Sequence, residues 1–514
     1  VTSPEASARL LPRWAGLVLG PSAALIVYLL LPEARFDESG HLAAGLTREG
    51  RLTLAAGTWL AAWWLTEAIP IQAAGLLPLA LFPLLGVASM RQAAAPYANE
   101  VIFLFLGGLI LGAALERWGL HKRIALSILL AVGTRPDRLV GGIMVSTAFV
   151  SMWVSNTATA VMMLPIAASV VRLVLERDGR PDPRGRDFAV AALLAVAYAA
   201  SIGGVATLIG TPPNGVLAAF VREHYGQTVS FARWLGVGLP TVLILLPVTW
   251  LLLTRVLFRL PRGPVTDAAD LLRAQQAALG PMSRGERWVL IVFVAAALAW
   301  IFRVPLSLGL GLYTSREGRG PEPWLTDAGI AVIAALALFI LPADGGRPVL
   351  DWSSASRIPW GVLLLFGGGL SLADAVTTHR VDLALGRAFE GLGGVPPMVV
   401  LLAVSAVVVF VTEVGSNTAV TTTLLPVAAA VALRLGLEPY PLAVAVALSA
   451  SCAFMMPSGT PPNALVFSAG HLRVHHMVRA GWWLNLAAIA AISAVAWLLA
   501  PLVLGSPTLS GPAR

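Results

Sequence analysis

Ser416-Asn417-Thr418-Ala419-Val420-Thr421-Thr422-Thr423-Leu424-Leu425-Pro426, followed by Gly459-Thr460-Pro461-Pro462-Asn463, echoes a stretch found 261 and 249 residues earlier. The earlier copy reads Ser155-Asn156-Thr157-Ala158-Thr159-Ala160-Val161-Met162-Met163-Leu164-Pro165, followed by Gly210-Thr211-Pro212-Pro213-Asn214. Both copies set hydroxyls, amides and a helix-breaking Gly-Thr-Pro-Pro inside otherwise apolar sequence. Facing lipid, each backbone group freed by such a break would cost several kcal/mol, so these segments must line a cavity enclosed by protein. A matched pair of interrupted apolar segments is the sequence pattern of a secondary transporter's binding site. The pattern implies a chain that moves a small polar solute through a membrane.

Composition agrees. Of 514 residues 57% are hydrophobic and only 12% charged, where a soluble protein carries roughly 25% charge. Apolar stretches near 14–31, 52–68, 71–88, 101–120, 189–221, 235–258, 287–302, 327–342, 360–376 and 480–504 each approach the ~20 residues that span a bilayer. The first is long and lacks a small-residue cleavage site, so it is expected to be retained as a span. Cys452, the single cysteine, excludes an intrachain disulfide and reads as a small buried apolar residue.

The net charge of +8 has a topological reading rather than a nucleic-acid one. Arginines crowd certain loops: Arg117, Arg123, Arg135 and Arg138; Arg172, Arg177, Arg180, Arg184 and Arg186; Arg255, Arg259, Arg262, Arg273, Arg284 and Arg287; Arg473 and Arg479. The positive-inside rule puts these loops, and the N-terminus, in the cytoplasm.

The repeat extends further. Phe105-Leu106-Gly107-Gly108-Leu109 matches Phe366-Gly367-Gly368-Gly369-Leu370, again shifted by 261. The difference between the shifts, 261 − 249 = 12, falls mostly in the polar loop 176–187, where insertion is inexpensive. The stretch 139–171 is flanked on both sides by basic loops, so it enters and leaves from one side. About 32 residues at 1.5 Å rise then form two half-depth helices, a re-entrant hairpin with Ser155-Asn156-Thr157 at its tip. Five spans within 189–376 place the second hairpin, 397–433, on the opposite side, and the two halves are inverted. The expected fold is an all-α polytopic membrane protein, an inverted-repeat transporter with about 11 transmembrane helices and two re-entrant hairpins. Its expected division is an N-terminal segment and first span (1–50), scaffold helices of repeat 1 (51–138), and a transport domain of hairpin, broken helix and following span (139–258). A cytoplasmic linker (259–286) leads to scaffold helices of repeat 2 (287–396), the matching transport elements (397–504) and a tail (505–514).

Ser, Asn and Thr favour helix N-caps, and Pro is tolerated at the first helical position. Thr211-Pro212 and Thr460-Pro461 join the two tips in this, so four helix N-termini are expected to converge on one cavity. Each carries about half a positive charge, which makes the cavity an anion site. Neither tip and neither break contains Arg, Lys or His. Burying a dianion against dipoles alone costs several kcal/mol per charge, so full positive charge must be supplied from elsewhere. Hydroxyl, amide and unwound backbone oxygens suit Na⁺. The duplicated motif offers one cation site per hairpin, which points to symport with at least two Na⁺.

Other polar residues carry less. Glu413 beside the second tip reads equally as a structural acceptor and as a contributor to cation binding. Glu67 is expected to tie the bend between two spans, Glu116 to pair with Arg117 at the interface, and Trp63, Trp64, Trp482 and Trp483 to anchor at the membrane surface. His471, His475 and His476 lie in a basic loop and are not read as a metal site. No Walker motif, catalytic triad or Cys/His metal cluster is found, which disfavours an enzyme or an ATP-driven pump, and no cofactor beyond the coupling ion is expected.

At Trp64-Leu65-Thr66-Glu67-Ala68-Ile69-Pro70, Phe103-Leu104-Phe105-Leu106-Gly107-Gly108, Trp118-Gly119-Leu120-His121-Lys122-Arg123-Ile124-Ala125-Leu126, the two Ser-Asn-Thr tips, Thr412-Glu413 and 452–463, the chain resembles the divalent anion:sodium symporter family of di- and tricarboxylate transporters. The resemblance covers most of the chain after the first 50 residues. It implies a homodimer in a bacterial inner membrane, working by an elevator motion of a transport domain against a fixed scaffold. It assigns Ser151, Ser155, Asn156 and the Gly210 backbone to one Na⁺, and Thr412, Gly415, Asn417 and Gly459 to a second. It sets Asn156, Thr157 and Thr211 on one side of the substrate carboxylates, with Ser416, Asn417, Thr418, Thr460 and Pro461 on the other. Gly459 replaces an alanine common in relatives, and Gly415 a small side chain. The implied function is Na⁺-coupled uptake of C4-dicarboxylates such as succinate, malate or fumarate. A Na⁺-independent dicarboxylate exchanger, or a symporter of citrate or sulfate, is the alternative.

Overall fold

Pro165 and Pro426 lie within continuous helices, whereas at the Gly-Thr-Pro-Pro breaks and the hydroxyl-rich tips the helices of the computed structural model end. It describes residues 13–36, 42–176, 183–265, 267–316, 319–381, 384 and 394–505. The first group comprises α1 (Arg13–Leu30), α2 (Arg48–Thr66), α3 (Ile71–Ala74), α4 (Leu77–Leu85), α5 (Met90–Ala94), α6 (Glu100–Arg117) and α7 (Leu120–Val132). A five-helix unit follows: α8 (Pro136–Ser151), α9 (Asn156–Glu176), α10 (Pro183–Gly204), α11 (Pro212–Tyr225) and α12 (Phe231–Leu251). The second half runs through α13 (Ala268–Ala278), α14 (Arg284–Ile301), α15 (Arg303–Gly309), α16 (Asp327–Ile340), α17 (Trp352–Ala355) and α18 (Trp360–Thr378). The same five-helix unit then returns as α19 (Pro397–Thr412), α20 (Asn417–Arg434), α21 (Pro439–Ala450), α22 (Pro461–Ser468) and α23 (Val474–Leu504). Among the described residues the strands form two short antiparallel pairs, Arg35–Phe36 with Leu42–Ala44 and Tyr313–Arg316 with Arg319–Pro323.

Among the described residues, five helices qualify by length and hydropathy as membrane spans, or up to seven when two bent pairs are each counted as one span. The rest are shorter apolar helices or halves of interrupted ones. Between hairpin α8–α9 and hairpin α19–α20 the chain runs through the apolar segments α10–α11, α12, α14, α16 and α18, five crossings if each traverses the bilayer once. An odd number of crossings opens the hairpins to opposite faces. Their arms are longer than the half-depth helices expected: 16 and 21 residues in the first, 16 and 18 in the second. At 1.5 Å per residue α9 measures about 31 Å, and its last turns carry the exposed Arg172.

The helices just before each break are the most enclosed. Of the apolar window of α10, 94% is buried, and every residue of α21 from Pro439 to Ala450 is buried. Both are rich in alanine, whose small side chain lets neighbouring helices approach closely. Beyond the breaks the repeats interlock: α11 packs on α20, and α22 packs on α9. The glycine-rich helices do the same. A Cβ at Gly107 of α6 would lie 2.6 Å from the Ala331 carbonyl carbon on α16, and one at Gly368 of α18 would lie 2.2 Å from the Gly75 carbonyl oxygen beyond α3.

Three sequence expectations need correction. Trp64 is fully buried, not an interface anchor; its Nε1 donates to the Ile71 carbonyl at 3.1 Å and closes the bend between α2 and α3. Glu67 makes that bend with its backbone, in the left-handed region at φ 47°, while its side chain is exposed. Arg117 pairs with Asp351 at 2.6 Å and not with Glu116. The Ser353 hydroxyl and Arg117 hold the Asp351 carboxyl well below the usual carboxylate range. Trp482 and Trp483 are exposed, as anchors would be.

Candidate functional site

Two oxygen clusters, one per repeat, lie where each hairpin meets the helix before its own break. In the first, the Ser151 hydroxyl at the end of α8 is 2.8 Å from Asn156 Oδ1 and 2.6 Å from the Ala200 carbonyl oxygen. In the second, the Thr412 hydroxyl at the end of α19 is 2.8 Å from Asn417 Oδ1 and 2.9 Å from the Ala450 carbonyl oxygen. Ser151 and Thr412 are both fully buried. Each cluster holds three oxygens and a single hydroxyl proton, which can go to only one of the two acceptors. Such an oxygen-rich, hydrogen-poor group, its hydroxyl and carbonyl near helix C-termini and its asparagine at a helix start, is suited to a hard monovalent cation.

Close backbone approach makes the clusters possible. A Cβ at Gly203 would lie 2.4 Å from the Ala148 carbonyl oxygen, and one at Gly204 would lie 2.3 Å from Asn156 Oδ1. Gly204 thus leaves the space into which the Asn156 amide fits. Gly459 is similarly confined: its Cβ would meet Ala453 Cβ and Glu413 Oε2, each at 3.1 Å. At Gly415 the nearest atom would be Val420 Cγ2 at 3.2 Å.

The breaks are held open by a matched pair of asparagines. Asn214 Nδ2 donates to the carbonyls of Gly204, Val205 and Thr207 at 3.2, 3.2 and 2.7 Å. Asn463 Nδ2 donates to Ala453 and Met456 at 3.0 and 2.9 Å. Both are fully buried, so each amide gives a donor to carbonyls exposed where the helix is interrupted, alongside the backbone bonds Gly210 N to Thr207 O and Gly459 N to Met456 O. Trp234 Nε1 adds a bond to the Val205 carbonyl at 3.0 Å, and the Tyr198 hydroxyl one to Phe454 at 2.9 Å. Sequence reading passed over Asn214 and Asn463 as ties, although their place at the end of both Gly-Thr-Pro-Pro-Asn copies marked them.

The expected N-caps form only in part. Ser155 accepts from Ala158 N at 3.3 Å, and Thr460 from Asn463 N at 3.3 Å. Thr211 and Ser416 stand at N-caps with extended backbone and make no side-chain cap bond. Of the residues assigned to the anion, Asn156, Ser416 and Asn417 are half-buried, and Thr211, Thr418 and Thr460 buried. Thr157 and Pro461 are exposed. Ser155 is half-buried at its tip, and the backbones of Gly210, Gly415 and Gly459 are buried at the breaks and the second tip. The structure therefore joins Ser151 to Asn156 and Thr412 to Asn417 directly, and draws Gly459 against Glu413. The N-termini of α9 and α20 bear the two tips, and those of α11 and α22 begin at the breaks.

A membrane transporter is the class that two opposed re-entrant hairpins and two interrupted central helices define. The family model described as the sodium:sulfate symporter transmembrane region matches residues 19–504, and the chain belongs to that family. It is 39% identical over 496 residues to the sodium-dependent dicarboxylate transporter SdcS of Staphylococcus saprophyticus, covering 95% of this chain and 92% of that protein. It is 38% identical over 495 residues to SdcS of Staphylococcus aureus, with the same coverage. The fold is similar to the crystal structure of the YdaH transporter of Alcanivorax borkumensis, with a TM-score of 0.57, 17% identity and coverage of 96% and 98% of the two chains. The protein is thus an integral membrane transporter and not an enzyme.

Proposed function

We propose that this chain couples the movement of a C4-dicarboxylate, such as succinate, malate or fumarate, to the movement of Na⁺. The observation that carries the reading is the duplicated cluster of Ser151, Asn156 and the Ala200 carbonyl, and of Thr412, Asn417 and the Ala450 carbonyl. The one Na⁺ site uses Ser151, Ser155, Asn156 and Gly210; the other uses Thr412, Gly415, Asn417 and Gly459. The anion lies between them, against Asn156, Thr157 and Thr211 from one repeat and Ser416, Asn417, Thr418, Thr460 and Pro461 from the other. Thr211 and Ser416, whose hydroxyls make no cap bond, are available to its carboxylates. The sodium-dependent dicarboxylate transporters at 38–39% identity support both the ion and the solute class.

In this reading the helix C-termini and their oxygens favour the cations, and the helix N-termini favour the anion. The bound Na⁺ ions supply the full positive charge that the tips and breaks lack. Residues 139–258 and 397–504 form a transport domain that moves as an elevator against a scaffold of residues 51–138 and 287–396, with the linker 259–286 between the halves. The working unit is a homodimer. Reconstituted protein is expected to take up labelled succinate when driven by an inward Na⁺ gradient, with no internal counter-substrate. Equal uptake in K⁺ would refute Na⁺ coupling, and an absolute need for an internal dicarboxylate would refute symport.

A further inference from the structure

The two repeats fasten their broken segments by opposite means. In repeat 1 the residue after Ser151 is Met152, whose carbonyl accepts the Thr207 hydroxyl; that hydroxyl in turn accepts Gly210 N at 3.1 Å. In repeat 2 the residue after Thr412 is Glu413, and Met456 stands where Thr207 does. There the side chain and the backbone exchange roles. Glu413 Oε1 accepts from Phe454 N at 2.8 Å, Met455 N at 2.9 Å and Asn485 Nδ2 at 2.8 Å. Oε2 accepts from Met455 N at 3.1 Å and Met456 N at 2.9 Å.

Every hydrogen-bond partner of this carboxyl group is a donor, an arrangement that favours the carboxylate over the acid. Three successive backbone N–H groups aimed at one anion form a concave nest. Glu413 is 5% exposed, and a Cβ at Gly459 would lie 3.1 Å from Oε2. As a carboxylate it sets a negative charge against the residue whose backbone is assigned to the second cation. Repeat 1 has nothing equivalent: Met152 is neutral, and so is every residue from 199 to 214.

We infer that Glu413 is a positioning residue that makes the two cation sites unequal, so that the site of repeat 2 binds Na⁺ more tightly and fills first. This rests on the Na⁺-coupled reading above. Glu413 does not reach the oxygen cluster by any hydrogen bond among the described residues. It fixes the 454–456 backbone leading to Gly459, and its charge attracts a cation through a poorly screened interior. In repeat 1 the Thr207–Met152 bond fixes the matching backbone without adding charge, so that site fills second.

The slope of stabilisation against the logarithm of Na⁺ concentration follows the number of occupied sites. The thermal unfolding of the purified full chain can therefore be titrated with Na⁺ against choline at constant ionic strength, without dicarboxylate, each site appearing as a rise in that slope centred on its own midpoint. Two phases are expected. Asn417→Ala removes the phase at low Na⁺, and Asn156→Ala the phase at high Na⁺. Glu413→Gln moves only the low phase, upward by about tenfold or more, the scale of losing one nearby unit charge. A general loosening of the fold would lower the unfolding temperature without moving one midpoint selectively. The inference is overturned if the low phase survives Asn417→Ala, if both sites titrate together, or if Glu413→Gln leaves the low midpoint in place. Should Glu413→Gln fail to fold, the two asparagine variants still decide which site is tighter. If wild type responds to Na⁺ no more than to choline, it is the underlying Na⁺-coupled reading that fails.

Discussion

Phe105 and Phe366 occupy the same position in the two repeats and pack against each other edge to face, with ring centroids 4.9 Å apart and planes at 74°. A residue can touch its own repeat partner only near the axis that relates the two halves. The pseudo-two-fold axis of this molecule therefore passes between these rings. Both are nearly fully buried, on α6 and α18, the helices whose glycines interlock the halves.

Truncating either ring leaves a cavity on this axis. Phe105→Ala and Phe366→Ala are each expected to cost about 3–5 kcal/mol of stability. The double variant should lose less than the sum, because both changes remove one shared contact. Unfolding midpoints of the three purified variants test this, and strict additivity would contradict the shared contact.

Phe105 also rests on the backbone of Gly215, where an added Cβ would lie 2.1 Å from Cε2 of the ring. The matched position in repeat 2 is Ala464, which is exposed. Gly215→Ala is expected to slow transport severalfold, since the ring is pinned by Phe366 and overpacking typically costs about 1–3 kcal/mol. Ala464→Gly should leave uptake near wild type. Equal effects of the two changes would contradict this account.

The asparagine ties can be removed one at a time. Asn214→Ala removes the donor shared by the Gly204, Val205 and Thr207 carbonyls, and Asn463→Ala the one shared by Ala453 and Met456. Because Trp234 still reaches Val205, Gly210 N Thr207 and Gly459 N Met456, each variant leaves about one carbonyl without a donor, at about 1–3 kcal/mol. Both variants should therefore unfold below wild type by similar amounts, and both should lose transport. Replacement by Asp is not expected to rescue either, because an ionised carboxylate has no proton to donate. Rescue by Asp would show that the carbonyl contacts are incidental.

Ser151→Ala and Thr412→Val each remove one oxygen from a cluster and keep the local packing. Both should raise the Na⁺ concentration for half-maximal uptake by several-fold, while the succinate KM measured at saturating Na⁺ changes little. A shift confined to succinate KM would move these hydroxyls from the cation to the anion.

What the sequence revealed, it revealed through duplication. Ser151 and Asn156 are five residues apart across a hairpin tip, as are Thr412 and Asn417. That spacing places a helix end beside a helix start whatever the rest of the chain does. Partners far apart in sequence were hidden. Arg117 finds Asp351 across 234 residues, and Glu413 finds Asn485 across 72, where no local pattern signals the contact. Trp64 resembled an interfacial residue because tryptophan favours both the membrane surface and buried sites with an acceptor; the acceptor here is Ile71. Thr211 and Thr460 share their flanking sequence yet cap differently. Ten residue positions separate Ala200 from Gly210 but nine separate Ala450 from Gly459, so the two breaks follow different backbone paths into the same motif.

Na⁺-dependent uptake of labelled succinate into proteoliposomes, wild type beside Asn156→Ala and Asn417→Ala, tests the central claim most directly. Uptake should require external Na⁺, rise more steeply than in proportion to it, and vanish in both variants while each stays folded. Succinate uptake that proceeds equally in choline, or that survives either asparagine substitution at the wild-type rate, would contradict the account.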